Sequence, residues 1–119
     1  MKTRLPLLLA SLSLLLLSCT KKEAPAPTPP EDPNVVTANN VSYTNFTKDL
    51  LKTNCSGCHG GTGGASRAWK YEDTYDNAKT NGARLNDAVQ SGRMPIGGRT
   101  LTQQQKELLK AWITRNMPQ

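Results

Sequence analysis

The chain has 119 residues, 36% of them hydrophobic, and its 15 Lys and Arg against 9 Asp and Glu give a formal net charge of +6. Residues 35–119 are enough for one domain only. A domain this small with so few apolar side chains is marginally stable by itself. We therefore expect a disulfide, a metal or a cofactor.

Residues 1–18 are predicted to be an export signal. The first four residues carry two positive charges, and residues 5–17 form an almost entirely apolar run. That run is too short to cross a membrane as a helix, which takes about 20 residues. A basic start followed by a short apolar run is typical of a secretory signal.

Cys19 is predicted to be lipidated. The segment Leu16-Leu17-Ser18-Cys19 resembles the lipobox of bacterial lipoproteins, which implies cleavage before the cysteine and its acylation. The alternative is an ordinary signal, but an exported chain with three cysteines would then keep an unpaired thiol. Two or three acyl chains anchor a protein stably, because each buried methylene contributes ~0.8 kcal/mol. We therefore expect the chain on the periplasmic side of a bacterial membrane, and Thr20 resembles the outer-membrane sorting pattern.

Residues 19–34 are predicted to be a linker that starts at the lipidated cysteine. From Thr20 to Asn34 the chain has five prolines and no large apolar residue. This composition cannot form a packed core, and it favours an extended polyproline II chain of about 3.1 Å per residue. The linker would leave one domain, residues 35–119, free to move relative to its anchor.

The two ends of this domain are predicted to be helical. Residues 42–54 begin with Ser42 as a plausible N-cap, and their apolar residues recur at helical spacing. Near the other end, Thr102 and Gln105 form a capping-box pattern before a helix expected from residue 103 to about residue 116. The apolar stripe of that helix is formed by Leu108, Leu109, Trp112 and Ile113.

Two further short helices are predicted between these ends. They cover residues 72–80 and 83–90, with Asn81 and Gly82 as the break between them. No segment shows the alternating apolar pattern of a strand. The sequence therefore predicts an all-α fold.

The motif at Cys55, Cys58 and His59 indicates the chemistry. Cys-X-X-Cys-His is the attachment pattern of c-type haem. The two thiols add across two vinyl groups of the porphyrin to form thioethers, and the histidine binds the iron. A redox dithiol would need a βαβ context, zinc would need a fourth ligand, and a disulfide closing so small a loop would stabilise little. We predict one covalently attached haem c.

Met94 is predicted to be the second axial ligand of the iron. His59 is the only histidine, so ligation by two histidines of this chain is excluded. Of the three methionines, Met1 belongs to the export signal and Met117 lies near the C-terminus. Met94 lies in a turn flanked by glycine and proline, which lowers the entropy cost of holding a thioether in place. The alternative is that Met94 fills a gap in the core.

Together these features resemble a small monohaem class I cytochrome c. The matching segments are the motif at 55–59, the Gly-Arg-Met-Pro turn at 92–95 and the terminal helix around 110–113. The resemblance implies a cytochrome c-like fold of three to five short helices around one haem, in which the first and last helices cross. The implied contact joins two residues of the first helix to three of the last: Phe46 and Leu50 to Leu109, Trp112 and Ile113.

The chain departs from the family pattern at one position. Many relatives have a proline after the haem motif whose carbonyl accepts a hydrogen bond from the second ring nitrogen of the histidine. Residues 60–68 contain no proline. Some acceptor is still expected, because metal-ligating histidines nearly always donate their other N–H, but the sequence leaves its identity open.

The predicted function is one-electron transfer and not enzymatic catalysis, because an iron with both axial positions filled leaves no place for a substrate. Two alternatives stay open. In a haem-based sensor or catalyst, Met94 would dissociate to admit a small ligand. In a larger respiratory complex, the domain would be a fixed haem subunit.

The charge of the domain favours acidic or membrane-bound redox partners. From residue 35 onward there are 11 Lys and Arg against 6 Asp and Glu. Eight basic residues could rim the haem edge and steer such a partner, unless they are simply solvated: Lys48, Lys52, Arg67, Lys70, Lys79, Arg84, Arg93 and Arg99. Four residues are candidates for contacting the haem propionates: Arg67, Trp69, Lys70 and Tyr71. Nucleic acid is not expected as a partner of an exported chain.

Overall fold

The computed structural model describes residue 32 and residues 34–119, so the predicted export signal, Cys19 and most of the predicted linker lie outside the described residues. The described part forms helices and no strand, which confirms the all-α prediction. No helix in it is both long enough and apolar enough to cross a membrane. The helices are a π-helical segment at Tyr43–Thr47, α1 (Lys48–Asn54), α2 (Ser56–His59), α3 (Gly64–Ala68), α4 (Tyr75–Gln90) and α5 (Gln103–Thr114).

The first helix is capped by Ser42, as predicted. Ser42 and Asn45 form a capping box, in which each backbone N–H donates to the side-chain oxygen of the other residue, at 2.7 and 3.2 Å. The first turn is π-helical, since the N–H of Thr47 donates to the carbonyl of Ser42. This turn buries both Tyr43 and Thr47, and the helix continues directly as α1.

One continuous helix, α4, replaces the two short helices predicted over 72–80 and 83–90. Thr74 caps it by accepting the N–H of Asn77. The prediction of a break at Asn81 and Gly82 was wrong because Gly82 lies on the buried face of α4, where it allows α5 and the C-terminal tail to approach closely. Tertiary packing thus outweighs the low helix propensity of glycine, which costs roughly 1 kcal/mol.

The predicted capping box of the last helix is confirmed. The N–H of Gln105 donates to Thr102 Oγ1 at 3.1 Å, and the N–H of Thr102 donates to Gln105 Oε1 at 2.9 Å. The helix α5 ends at Thr114, two residues earlier than expected, because Asn116 and Met117 adopt left-handed backbone angles, with φ of 62° and 54°. Its buried side consists of Leu108, Leu109 and Trp112.

The C-terminal tail joins the other helices. The carbonyl of Pro118 accepts hydrogen bonds from the N–H of Tyr43 and from the indole of Trp112, both at 2.8 Å. The hydroxyl of Tyr75 donates to the carbonyl of Met117 at 2.7 Å. The first and last helices meet as the resemblance implies, through the π-helical segment and α5. The residues of the implied contact all lie in or against one core: Phe46, Leu50, Leu109, Trp112 and Ile113.

Candidate functional site

The haem-attachment motif lies on the short helix α2, directly after α1. Cys55 joins the two helices, and its carbonyl accepts the N–H of Cys58 at 3.3 Å and of His59 at 2.9 Å. Residues three and four positions apart lie on the same side of a helix. Both thiols and the imidazole therefore line one cavity.

The two thiols of the motif differ in their surroundings. Both are free, while Cys55 is half-buried and Cys58 is exposed. Burial, with a smaller effect from the nearby Cys58, raises the pKa of Cys55 to about 11. Cys55 is therefore a neutral thiol at physiological pH.

The imidazole of His59 is held by a backbone carbonyl. His59 Nδ1 lies 2.8 Å from the carbonyl oxygen of Trp69. Because a carbonyl only accepts, Nδ1 carries the proton, and Nε2 is left with the lone pair that can bind a metal. Trp69 thus provides the acceptor that the sequence left open. The carbonyl of His59 itself accepts the N–H of Tyr71 at 2.9 Å and the hydroxyl of Ser66 at 3.1 Å.

Trp69 also contacts His59 through its side chain. The two rings lie with their centroids 5.1 Å apart, and Trp69 is buried. Its indole N–H donates to Asn77 Oδ1 at 3.0 Å. Trp69 therefore lines the cavity beside the motif, with its N–H used within the protein. Its predicted contact with a propionate stays a prediction.

Tyr71 lies next to Trp69 but lines neither of the two cavities described below. Its hydroxyl is buried and interacts with the carboxylate of Asp73, although no hydrogen bond of normal geometry joins the two. Burial and the negative charge of Asp73 raise the pKa of Tyr71 to about 12. The predicted propionate contact of Tyr71 stays a prediction as well.

Two cavities adjoin the motif. Their volumes are about 390 and 340 Å³, within the range of small-molecule sites. Cys55, His59 and Met94 line both, so the cavities meet at these three side chains. The wall of the first cavity is largely apolar and comes from α1, α4 and the segment before α4; it includes Leu51, Ala68, Trp69, Leu85, Ala88 and Val89.

Met94 is positioned by the turn that follows α4. Its N–H donates to the carbonyl of Ala88 at 3.0 Å, and Gly92 before it has a φ of 73°. Its side chain lines both cavities. Met94 is thus far from the motif in the sequence but close to it in space. Met117, in contrast, packs against Gly82 and lines neither cavity. Of these two methionines, only Met94 shares a cavity with His59.

Three of the eight basic residues singled out in the sequence lie at the cavities. Arg84 and Arg93 line the first, where Arg84 donates to the carbonyl of Ala68 and Arg93 pairs with Asp87. Arg99 lines the second. The other five line neither cavity: Lys48, Lys52, Arg67, Lys70 and Lys79.

Sequence reasoning missed the residues that support the ligands. A backbone carbonyl such as that of Trp69 leaves no mark in the sequence, because every residue has one. Asn77 also passed unnoticed, because an asparagine near the start of a helix is common. The placement of Arg84 on the cavity side of α4 could have been found only after α4 was recognised as one helix.

These residues fit a covalently attached haem. An apolar cavity is lined by two free thiols, by an imidazole whose Nε2 is available and by a thioether, and these are the groups that hold haem c. A helical fold with such a site defines a small class I cytochrome c.

The chain belongs to the family described as Cytochrome C oxidase, cbb3-type, subunit III, whose model matches residues 47–113, more than half of the chain. No curated protein and no solved structure gives a significant match. Membership of this cytochrome c family means that the chain binds haem c covalently and acts in electron transfer.

Proposed function

We propose that this cytochrome is a one-electron carrier whose haem iron is held between His59 and Met94, with thioether bonds to Cys55 and Cys58. The observation that carries the proposal is that His59 and Met94 line the same two cavities, together with Cys55. With His59 and Met94 both holding the iron, the haem would supply one-electron transfer without a bound substrate.

When bound, the haem supplies an iron that changes oxidation state by one electron. The residues around it set the reduction potential of that iron. The soft, weakly donating thioether of Met94 favours the reduced state and raises the potential. Apolar side chains such as Leu51, Leu85 and Val89 exclude water, which also favours the state of lower charge. The carbonyl of Trp69 acts in the opposite direction, because it makes His59 a stronger donor.

The surface around the second cavity is the proposed contact for a redox partner. Ile96 is 66% exposed there, beside Met94 and Cys58. Arg99 lies at the same place and forms no ion pair among the described residues. An apolar centre with a basic neighbour suits a partner whose docking surface is apolar with an acidic edge.

The absorption spectrum of the matured protein tests the redox proposal. We expect two thioether bonds in the pyridine haemochrome assay, the long-wavelength band of a thioether-ligated ferric haem, and no binding of carbon monoxide to the reduced form. Strong carbon monoxide binding would instead support a sensor or catalyst in which Met94 leaves the iron.

The anchor is proposed from the sequence alone. A lipid on Cys19 and the proline-rich linker would hold the domain on the periplasmic side of a membrane, with the outer membrane favoured by Thr20. The wild-type protein should fractionate with membranes, and a Cys19→Ser variant should be released from them. Recovery of the wild-type protein in the soluble fraction with an unmodified Cys19 would contradict the anchor.

A fixed subunit of a larger respiratory complex is the second candidate, because the matching family is described by an oxidase subunit. Extraction in mild detergent followed by size-exclusion chromatography separates the two candidates. A free carrier elutes alone, whereas a fixed subunit elutes with the complex that contains it.

A further inference from the structure

The side chain of Asn77 holds the segment that orients His59 at two points. Its Oδ1 accepts the indole N–H of Trp69 at 3.0 Å, and its Nδ2 donates to the carbonyl of Lys70 at 3.1 Å. Asn77 is itself fixed at the start of α4, because its backbone N–H donates to Thr74 Oγ1. One amide group therefore connects the longest helix of the domain to the side chain of Trp69 and to the carbonyl of Lys70.

The peptide between Trp69 and Lys70 contains the carbonyl that accepts the Nδ1 proton of His59. The two bonds of Asn77 lie on either side of it, one to the Trp69 ring and one to the following carbonyl. On the upstream side the chain is held by Arg84, which donates to the carbonyl of Ala68 at 3.1 Å, and by a longer bond from the Trp69 N–H to the carbonyl of Ala65 at 3.4 Å. Without Asn77, the Trp69 carbonyl could turn away from His59.

We propose that Asn77 is a positioning residue for the axial ligand His59, and that it sets the potential of the haem by fixing the Trp69 carbonyl. The inference rests on the proposed function, in which His59 binds the iron. Asn77 lines neither cavity, so its side chain acts on the site through its bonds to Trp69 and Lys70.

The sign of the effect follows from the hydrogen bond. A carbonyl that accepts the Nδ1 proton increases the basicity of the imidazole, and a more basic ligand favours the oxidised iron. Loss of this bond should therefore raise the reduction potential. It should also expose the Nδ1 proton, whose exchange with solvent should become faster by up to roughly tenfold, the factor that the net loss of one hydrogen bond allows.

The experiment compares three variants of the full, matured protein. Asn77→Ala removes both amide bonds. Trp69→Phe keeps the backbone carbonyl but cannot donate to Asn77. Asn86→Ala is the matched control, because Asn86 lies on the same helix and accepts one side-chain hydrogen bond, from Gln90 at 3.0 Å, but lines neither cavity. The readouts are the reduction potential and the exchange rate of the His59 Nδ1 proton by NMR of the reduced protein.

We expect Asn77→Ala and Trp69→Phe to raise the potential and to accelerate exchange, while Asn86→Ala matches the wild type. The inference is overturned if Asn77→Ala behaves like Asn86→Ala. If Asn77→Ala yields no matured protein, the same result for Trp69→Phe overturns it. A wild-type protein that lacks attached haem or the thioether band would refute the proposed function instead. The two failures are therefore distinguishable.

Discussion

Gly82 and Met117 are in direct contact, and the contact leaves no room for a side chain at position 82. A Cβ atom there would lie 2.6 Å from Met117 Sδ, 3.0 Å from Ile113 Cδ1 and 3.3 Å from the ring of Trp112. The first of these distances is shorter than real contacts of a Cβ atom, and the other two are tighter than most. Gly82 thus allows the tail and α5 to pack closely on α4. Met117 is partly buried there against the core.

Gly82→Val should destabilise the domain by roughly 1–3 kcal/mol, the usual cost of overpacking a core. Chemical denaturation of the matured protein measures the change. Gly64→Val is the matched control, because Gly64 is also helical and nothing lies within 4 Å of a Cβ built there. Equal losses in the two variants would contradict the packing role of Gly82.

Tyr71→Phe should change the stability at neutral pH by less than ~1 kcal/mol, because the buried hydroxyl that it removes makes no hydrogen bond of normal geometry. A loss of more than ~1 kcal/mol together with a changed potential would contradict this. It would indicate that the hydroxyl binds a propionate, as the sequence suggested.

The same variant should change how stability depends on alkaline pH. The pKa of Tyr71 is raised from 10.0 to about 12 in the folded chain. Between these values the unfolded chain loses the proton first, so the wild-type stability falls as pH rises through this range. Tyr71→Phe should lack this part of the decline, and denaturation at several pH values from about 9 to 12 measures it. Identical slopes in the two proteins would contradict a raised pKa.

The sequence alone predicts those parts of the site whose residues lie close together in the chain. Cys55, Cys58 and His59 come from one helical turn, so their proximity follows from their spacing. The caps at Ser42 and Thr102 are equally local, because each is completed by a residue three positions later.

Long-range contacts explain what the sequence did not predict. The residue type of Gly82 suggests a helix break, but its role depends on Met117 in the distant tail. The short helix α3 lies in a glycine-rich segment that gives no apolar periodicity. The orienting carbonyl of Trp69 depends on the path of the chain after the motif and not on any residue type.

Single substitutions of the motif cysteines should leave haem attached by one bond. Cys55→Ala and Cys58→Ala should each shift the pyridine haemochrome spectrum to that of a haem with one vinyl group intact, because one thioether is lost. The double variant should release its haem into acidified organic solvent. Retention of haem by the double variant under these conditions would contradict attachment through these two sulfurs.

The reduction potential and ferric spectrum of Met94→Ala test the central claim most directly. The account predicts loss of the long-wavelength band, new binding of carbon monoxide to the reduced form, and a fall in potential that is a sizeable part of the roughly 0.8 V range set by axial ligands. Met117→Leu, a volume-conserving change in the core, should retain the wild-type spectrum and potential. An unaltered band and potential in Met94→Ala would contradict the proposed ligation.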